Sequence, residues 1–390
     1  MLRFLTAGES HGKALVMVVE GMPAGLDLSE DYIAADLARR QKGYGRGRRQ
    51  KIEQDRAEII SGVRHGKTLG SPIALMIQNR DWVNWTEQMS VAPVEAELEK
   101  VTRLRPGHAD LAGTVKYDFD EVRPILERAS ARETAARVAV GAVCKRLLEE
   151  FGMEFHSHVV QIGGVDATVP DEVDWAAVEE SPVRVADKAT EEKMVAAIDD
   201  ARNSGDTLGG VVEGRVSGVP IGLGSHVHWD RKLDGLLAQA LMSIHSVKGV
   251  EIGGGFGLTR NTGSHVHDVI MPAERWSGRM WERETNNAGG LEGGITNGQD
   301  IIVRVALKPI ATLPRSLPTA DLATGEEVPA HYERSDVCVV PAAGVIVEAM
   351  CAIVLATAAL EKFGGDSLKE TLRNWRSFEA TTGPRKLREV

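Results

Sequence analysis

The stretch PAAGVIVEAMCAIVLATAALEKF, Pro341 to Phe363, decides the architecture of the chain. Its apolar side chains fall on every face of a helix, so a helix here must be enclosed on all sides. In the wider run from Val337 to Leu360, Glu348 is the sole charge. Pro341, Gly344 and Glu348 interrupt that run and alanine outnumbers leucine, which reads as a buried core helix rather than a membrane span. Gly364-Gly365 closes it.

Other helices follow outward from this one. Ser130-Ala131-Arg132-Glu133 reads as a capping box opening an Ala/Val-rich helix that runs to Phe151 and stops at Gly152. Ser29 to Lys42 has an acidic first turn and a basic last turn, with Gly43 after it. Leu233, Leu236, Leu237, Ala240, Leu241 and Ile244 recur at helical spacing before Gly249. Asp366 is expected to cap a last amphipathic helix through Leu368, Leu372 and Trp375. Strand-like runs lie at Leu15 to Glu20, Pro72 to Ile77, Phe155 to Ile162, Gly210 to Val216 and Ile301 to Leu307. Two self-similarities stand out. Val18-Val19-Glu20-Gly21 with Pro23-Ala24-Gly25-Leu26 resembles Val211-Val212-Glu213-Gly214 with Pro220-Ile221-Gly222-Leu223, and the helix end Leu148 to Gly152 resembles Leu360 to Gly364. Chance and a true repeat both fit. A repeat would mean two related α/β halves with long helices buried between sheets.

The 390 residues carry 46 basic and 56 acidic side chains, a net charge of −10, which suits neither a non-specific nucleic-acid coat nor an anionic-membrane coat. Any anion site must therefore be a local basic cluster. Aromatic residues are only 5%, so the core is aliphatic. Three widely spaced cysteines, Cys144, Cys338 and Cys351, make neither a disulfide framework nor a zinc motif and suit a reducing cytoplasm. No secretory signal is read at Met1 to Thr6. With no low-complexity linker, residues 1–378 are expected to form one catalytic domain and residues 379–390 a flexible polar tail.

Five segments carry chemistry. Gly8-Glu9-Ser10-His11-Gly12 sets a histidine between glycines, open to a ligand and able to exchange a proton near neutral pH. Arg39, Arg40, Lys42, Arg46, Arg48, Arg49 and Lys51 are interleaved with Gly43, Gly45 and Gly47, a pattern that suits a loop folding guanidinium groups around one polyanion. Each close charge pair is worth up to ~4 kcal/mol at an effective dielectric near 20. Arg105-Pro106-Gly107-His108-Ala109-Asp110 projects Arg105 and His108 from a fixed turn. Arg128-Ala129-Ser130-Ala131-Arg132 places two arginines at a helix start, a ready anion site. Arg334-Ser335-Asp336 puts a carboxylate just ahead of the long buried helix. Each segment also has a bland reading, as a loop histidine, a solvated charge run, a surface turn, an ordinary helix start or an ion pair.

Together and in this order, the five segments resemble the chorismate synthase family. Supporting stretches agree: Ser243-Ile244 with Lys248-Gly249-Val250-Glu251, Gly289 to Gly294 with Asn297-Gly298-Gln299, and Lys308-Pro309-Ile310-Ala311-Thr312. The likeness runs from Leu5 to about Phe363. It implies an α/β (α+β) sandwich with long helices enclosed by antiparallel sheets, assembled as a homotetramer. It also implies a lyase that uses reduced FMN (FMNH2) to convert 5-enolpyruvylshikimate 3-phosphate into chorismate by 1,4-anti elimination of phosphate, the last step of the shikimate pathway. On this resemblance His11 serves the leaving phosphate, His108 the reduced flavin, and Asp336 the ring proton. Ser10, Arg40, Arg46, Arg49, Arg132 and Arg334 are expected to bind substrate. Arg105, Arg128, Ala129, Ser130, His245, Ser246, Gly293, Lys308, Pro309, Ile310, Ala311, Thr312 and Arg334 are expected to hold the flavin. The chain departs from the family at His245-Ser246, where an amide followed by alanine is usual, so flavin contact there is expected through backbone atoms.

Gly253-Gly254-Gly255-Phe256-Gly257 has the wrong spacing for a dinucleotide fingerprint, which favours an external flavin reductase over self-reduction with NADPH. Two rival readings remain. The pairs His156/His158, His226/His228 and His265/His267 would each share a strand face and could grip a metal, but this leaves the arginine loop unexplained; no metal is expected. The basic loop could instead contact nucleic acid, against which stand its glycines and the −10 total.

Overall fold

The computed structural model describes residues 2–47, 53–272, 281–333 and 335–383. Alternation builds the first sheet. Along Ala14–Glu20 (β2), Leu15, Met17 and Val19 turn inward while Val16 and Val18 stay exposed. Arg3–Ala7 (β1), Ala57–Ser61 (β3) and Ile73–Gln78 (β4) join it in an antiparallel sheet of order β1-β2-β4-β3, with Leu5 opposite Val18 and Val18 opposite Ala74. The second sheet is also antiparallel and is built from Glu154–Ile162 (β5), Val165–Asp166 (β6), Gly210–Ser217 (β7), Val247–Ile252 (β8) and Ile301–Leu307 (β9), in the order β8-β9-β7-β5-β6. The fold is mixed α/β. Of the strands in these two sheets, β1, β3, β6 and β8 had no expectation from the sequence.

The main helices are Glu30–Gln41 (α1), Asp110–Tyr117 (α2), Arg123–Arg128 (α3), Thr134–Glu149 (α4), Lys188–Ser204 (α5), Leu233–Met242 (α6), Val340–Phe363 (α7) and Leu368–Glu379 (α8). Helix α7 is the expected core helix. It packs on β5 and β7 of the second sheet, while α4 packs on β1 and β2 of the first, and the two helices pack on each other. They approach closely because α4 carries Gly141 at the crossing. A Cβ there would lie 2.3 Å from the Ala349 Cβ and 2.6 Å from its Cα. Alanine gains about 1 kcal/mol of helix propensity over glycine, but backbone overpacking costs ~1–3 kcal/mol or more. Gly141→Ala should therefore lower the denaturation midpoint, and a raised midpoint would show that the helices can separate freely. The two similar helix ends also meet, with Phe151 and Phe363 stacked at 5.7 Å.

Two expected caps need correction. Ser367, not Asp366, caps α8, accepting from the Glu370 N–H, while Asp366 lies one residue outside. Ser130 does not open α4 directly. It caps a 3-10 turn, Ala131–Glu133, by accepting from the Arg132 N–H, and α4 starts at Thr134. The capping box does not close, because Glu133 spends its carboxylate on Thr6 and Arg137.

Inside the helical layer lies an ionic knot. Glu348 of α7, 1% exposed, accepts both guanidinium nitrogens of Arg39, the Lys145 ammonium at 2.7 Å and the Ser157 hydroxyl at 2.6 Å. Arg184 lies 3.5 Å away, and Asp36 and Glu179 supply the balancing acids. Burying so apolar a helix is thus compatible with its one charge, because every lone pair of that charge is used.

Candidate active site

The expected site segments are loops or helix ends, and the fold gathers most of them around the entry to α4. The loop between β1 and β2 carries Ser10 and His11, 2% and 8% exposed. His11 Nδ1 lies 2.8 Å from Glu127 Oε1, and the His11 N–H donates to Oε2 at 2.7 Å. The imidazole stacks on Trp85 with centroids 3.9 Å apart. The Ser130 hydroxyl donates to Ser10 Oγ at 3.0 Å. Arg128 donates to the carbonyls of Gly8 and Thr6, tying this loop to the end of α3; Ala129, the C-cap of α3, joins the two.

Arg40 and Arg132 are buried behind them and share one carboxylate. Asp55 Oδ1 lies 2.5 Å from Arg132 Nη1, and Oδ2 lies 3.3 Å from Arg40 Nη1. Arg40 also donates to Thr134 Oγ1 and the Ala131 carbonyl, and Arg132 to Asn79. Burial pushes the Arg40 guanidinium down to about 9; Asp55 opposes this, while Arg46 and Arg132 add to it. Arg40, Arg46 and Arg132 thus share a dry place with Asp55, Asp336 and Glu53, where burial still disfavours the Arg40 charge.

The basic loop reaches the same place through Gly45. Its φ of +90° and a virtual Cβ 3.0 Å from Cys338 leave room for no side chain, and its carbonyl accepts from the Val337 N–H at 2.8 Å. This docking sets Asp336 against the loop, with Oδ1 accepting from Gly47 N at 2.6 Å and Oδ2 3.4 Å from Arg46 Nε. Arg49 and Arg334 lie outside the described residues.

A second group forms around Asp110, which is fully buried. Its Oδ1 lies 2.5 Å from His108 Nδ1 and 2.9 Å from Arg105 Nη2; its Oδ2 takes Arg105 Nε at 2.8 Å. Burial alone would raise this carboxyl, but the bonds from His108 and Arg105 outweigh it and hold it at about 2. Lys308–Thr312 runs alongside. Lys308 Nζ donates to the Gly107 carbonyl, Lys308 N donates to the Ser246 carbonyl at 2.9 Å, and Arg105 Nη1 lies 3.4 Å from Thr312 Oγ1. The Ile310 carbonyl accepts from Thr207, and the Ala311 Cβ would lie 3.8 Å from a Cβ on Gly107. Pro309 sits within this run.

His245 and Ser246 follow α6. Ser246 has φ +68°, an uncommon conformation for a residue with a side chain. Burial pushes the His245 imidazole down to about 4; Glu133 opposes this, while Arg137, His108 and Arg40 add to it. Its buried Nδ1 has no hydrogen bond among the described residues. His245 lines a cavity of about 410 Å³ with Phe4, Arg128, Arg137 and Met350. Gly293 is the exception. It sits in the hairpin Leu291–Thr296, whose Gly294 carbonyl accepts from Leu233 at the start of α6. His245 follows the far end, so ten residues at 1.5 Å each, roughly 15 Å, separate them.

Glu127, Asp110, Asp55 and Trp85 were not singled out from the sequence, although Asp110 lay in a quoted turn. Isolated acids carry no signal until the fold shows what faces them. Of the histidine pairs, His156/His158 shares a strand face as expected, both rings meeting Trp175, and the other two do not. His156 stacks on Trp175 and His158 lies 3.3 Å from Glu213, both on β5, whereas His226/His228 and His265/His267 lie outside the strands.

Residues 2–360 match the family model described as chorismate synthase. A chorismate synthase of Symbiobacterium thermophilum is 58% identical, covering 97% of this chain and 98% of that protein. One of Geobacter sulfurreducens is 56% identical over the same shares. A solved structure titled as a chorismate synthase crystal structure superposes with a TM-score of 0.78 at 45% identity, covering 97% of both chains. By that family match and those full-length relatives, this chain belongs to the chorismate synthase family.

Proposed function

We propose that this chain eliminates phosphate from 5-enolpyruvylshikimate 3-phosphate in the 1,4-anti sense, giving chorismate at the last step of the shikimate pathway to aromatic amino acids. The observation that carries this reading is the convergence of Arg40, Arg46 and Arg132 with Ser10 and His11 in an acidic protein. A substrate bearing one phosphate and two carboxylates needs such a cluster. Arg49 and Arg334 complete the substrate set in this reading. His11 supplies a proton or positive charge to the leaving phosphate, and Asp336, braced by Gly47 and Arg46, assists the ring proton.

Reduced FMN fits the residues present. The 410 Å³ cavity falls in the range of ligand sites and is lined by His245, whose buried Nδ1 has no partner among the described residues. Arg105, Arg128, Ala129, Ser130, His245, Ser246, Lys308 to Thr312 and Arg334 would hold it, with His108 alongside. When bound, it supplies electron density for cleavage of the carbon–oxygen bond. An external flavin reductase provides the reduced form.

The assembly is a homotetramer of sandwich-shaped subunits, each one catalytic unit over 1–378 followed by a tail whose residues 384–390 lie outside those described. Support comes from Leu5, Val16 and Val18, 77%, 40% and 39% exposed on adjacent strands of the first sheet. The stacked ends of α4 and α7 support a pseudo-twofold repeat. The three buried free thiols suit the cytoplasm.

The test is anaerobic. Protein, photoreduced FMN and 5-enolpyruvylshikimate 3-phosphate are mixed, and phosphate release is followed with the product's ultraviolet absorbance. Stoichiometric release that requires reduced flavin is expected; no release, or release with oxidised flavin alone, rejects the reading.

A further inference from the structure

Building on the reading of His11 just given, we propose that Glu127 is the positioning residue for His11, fixing its ring proton on Nδ1 and presenting Nε2 to the leaving phosphate. Glu127 lies in the last turn of α3 and is 2% exposed. Its carboxylate faces three donors: His11 Nδ1 at 2.8 Å, the His11 N–H at 2.7 Å and Arg123 Nη1 at 3.3 Å. An ionised carboxylate only accepts, so the shared proton belongs to Nδ1 and the opposite nitrogen keeps its lone pair or second proton for the substrate. The backbone of the same residue grips the loop as well, its carbonyl accepting from the Ser10 N–H at 3.1 Å.

Two further contacts stop the imidazole from turning. Trp85 lies flat against it at 24°. Arg123, 5.2 Å over that indole, is itself pinned at 2.8 Å by Glu333. One edge and one face of the ring are therefore occupied, and among the described residues Nε2 makes no hydrogen bond. The clamp repeats at His108, whose Nδ1 meets buried Asp110. In both cases a carboxylate orients the imidazole from behind, as in other acid–base sites.

A double-mutant cycle tests this in the full-length protein with reduced FMN and substrate. Glu127→Ala and Glu127→Gln should lower kcat roughly 10²-fold while KM moves less than about threefold. In the His11→Ala background the same changes should alter kcat less than about twofold, because the group they orient is gone. Glu127→Gln preserves shape and carries the cycle if Glu127→Ala does not fold. Additive losses in both backgrounds, or unaltered kcat in both Glu127 variants beside an impaired His11→Ala, overturn the proposal. A fully active His11→Ala instead overturns the reading of His11 on which it rests.

Discussion

Glu348→Ala is expected to lower stability by about 3–5 kcal/mol, the range for removing one partner from a buried ion network. The deletion leaves Arg39, Lys145 and Arg184 facing only Asp36 and Glu179. Lys145 and Arg184 side chains are 7% and 5% exposed, so water cannot make good the loss. The same network makes a pH prediction. Burial alone would raise the Glu348 carboxyl, but Lys145, Arg39 and Arg184 outweigh it and hold it far below its ordinary 4.5. Its stabilisation is complete above about pH 4.5 and is lost as pH falls below that value, since the unfolded chain then binds the proton first. Urea midpoints measured from pH 3 to 7 should fall more steeply on acidification in the parent than in Glu348→Gln. Parallel curves would show that the carboxylate contributes no net stability.

His11→Ala and His108→Ala should each reduce turnover by about 10²–10⁴-fold, the usual reach of a proton-transferring side chain. Both should leave the free energy of unfolding within about 1 kcal/mol of the parent. His11 is 8% exposed but sits in a loop held by Ser10 and Arg128 as well, so the loop keeps its other anchors. His108 occupies a turn whose Arg105–Asp110 clamp survives without it. This pattern is the reverse of Glu348→Ala, where stability falls and the site is touched only indirectly. Steady-state phosphate release with thermal melts on the same samples separates the cases. Full turnover in either histidine variant removes that residue from the chemistry.

Much of the secondary structure was legible because its causes are local. Helix α1 lies within the expected Ser29 to Lys42, those two residues serving as its caps, where the acidic and basic turns placed it. Strand β9 has the expected bounds, set by alternating Ile301, Val303 and Val305. The seventeen-residue helix α5 was passed over although Thr190, Met194, Ile198 and Ala201 repeat at helical spacing. Strand β1 was missed because its burial alternates while its residue types do not, with Leu5 exposed and Thr6 half-buried. The capping-box pattern failed because Glu133 found Thr6, 127 residues away, a partner that local spacing cannot announce.

By itself the chain determined which charges exist and which lie in turns: guanidinium groups after α1, histidines between small residues, and one carboxylate inside an apolar helix. Local sterics and periodicity are sufficient for that. Tertiary structure alone decided their partners. Asp55 joins two arginines, Glu127 stands behind His11, and Gly141 lets α4 touch α7. These pairings span tens to hundreds of residues and depend on how separate elements pack, so the side chain that orients or neutralises a given charge is settled only when the layers close around it.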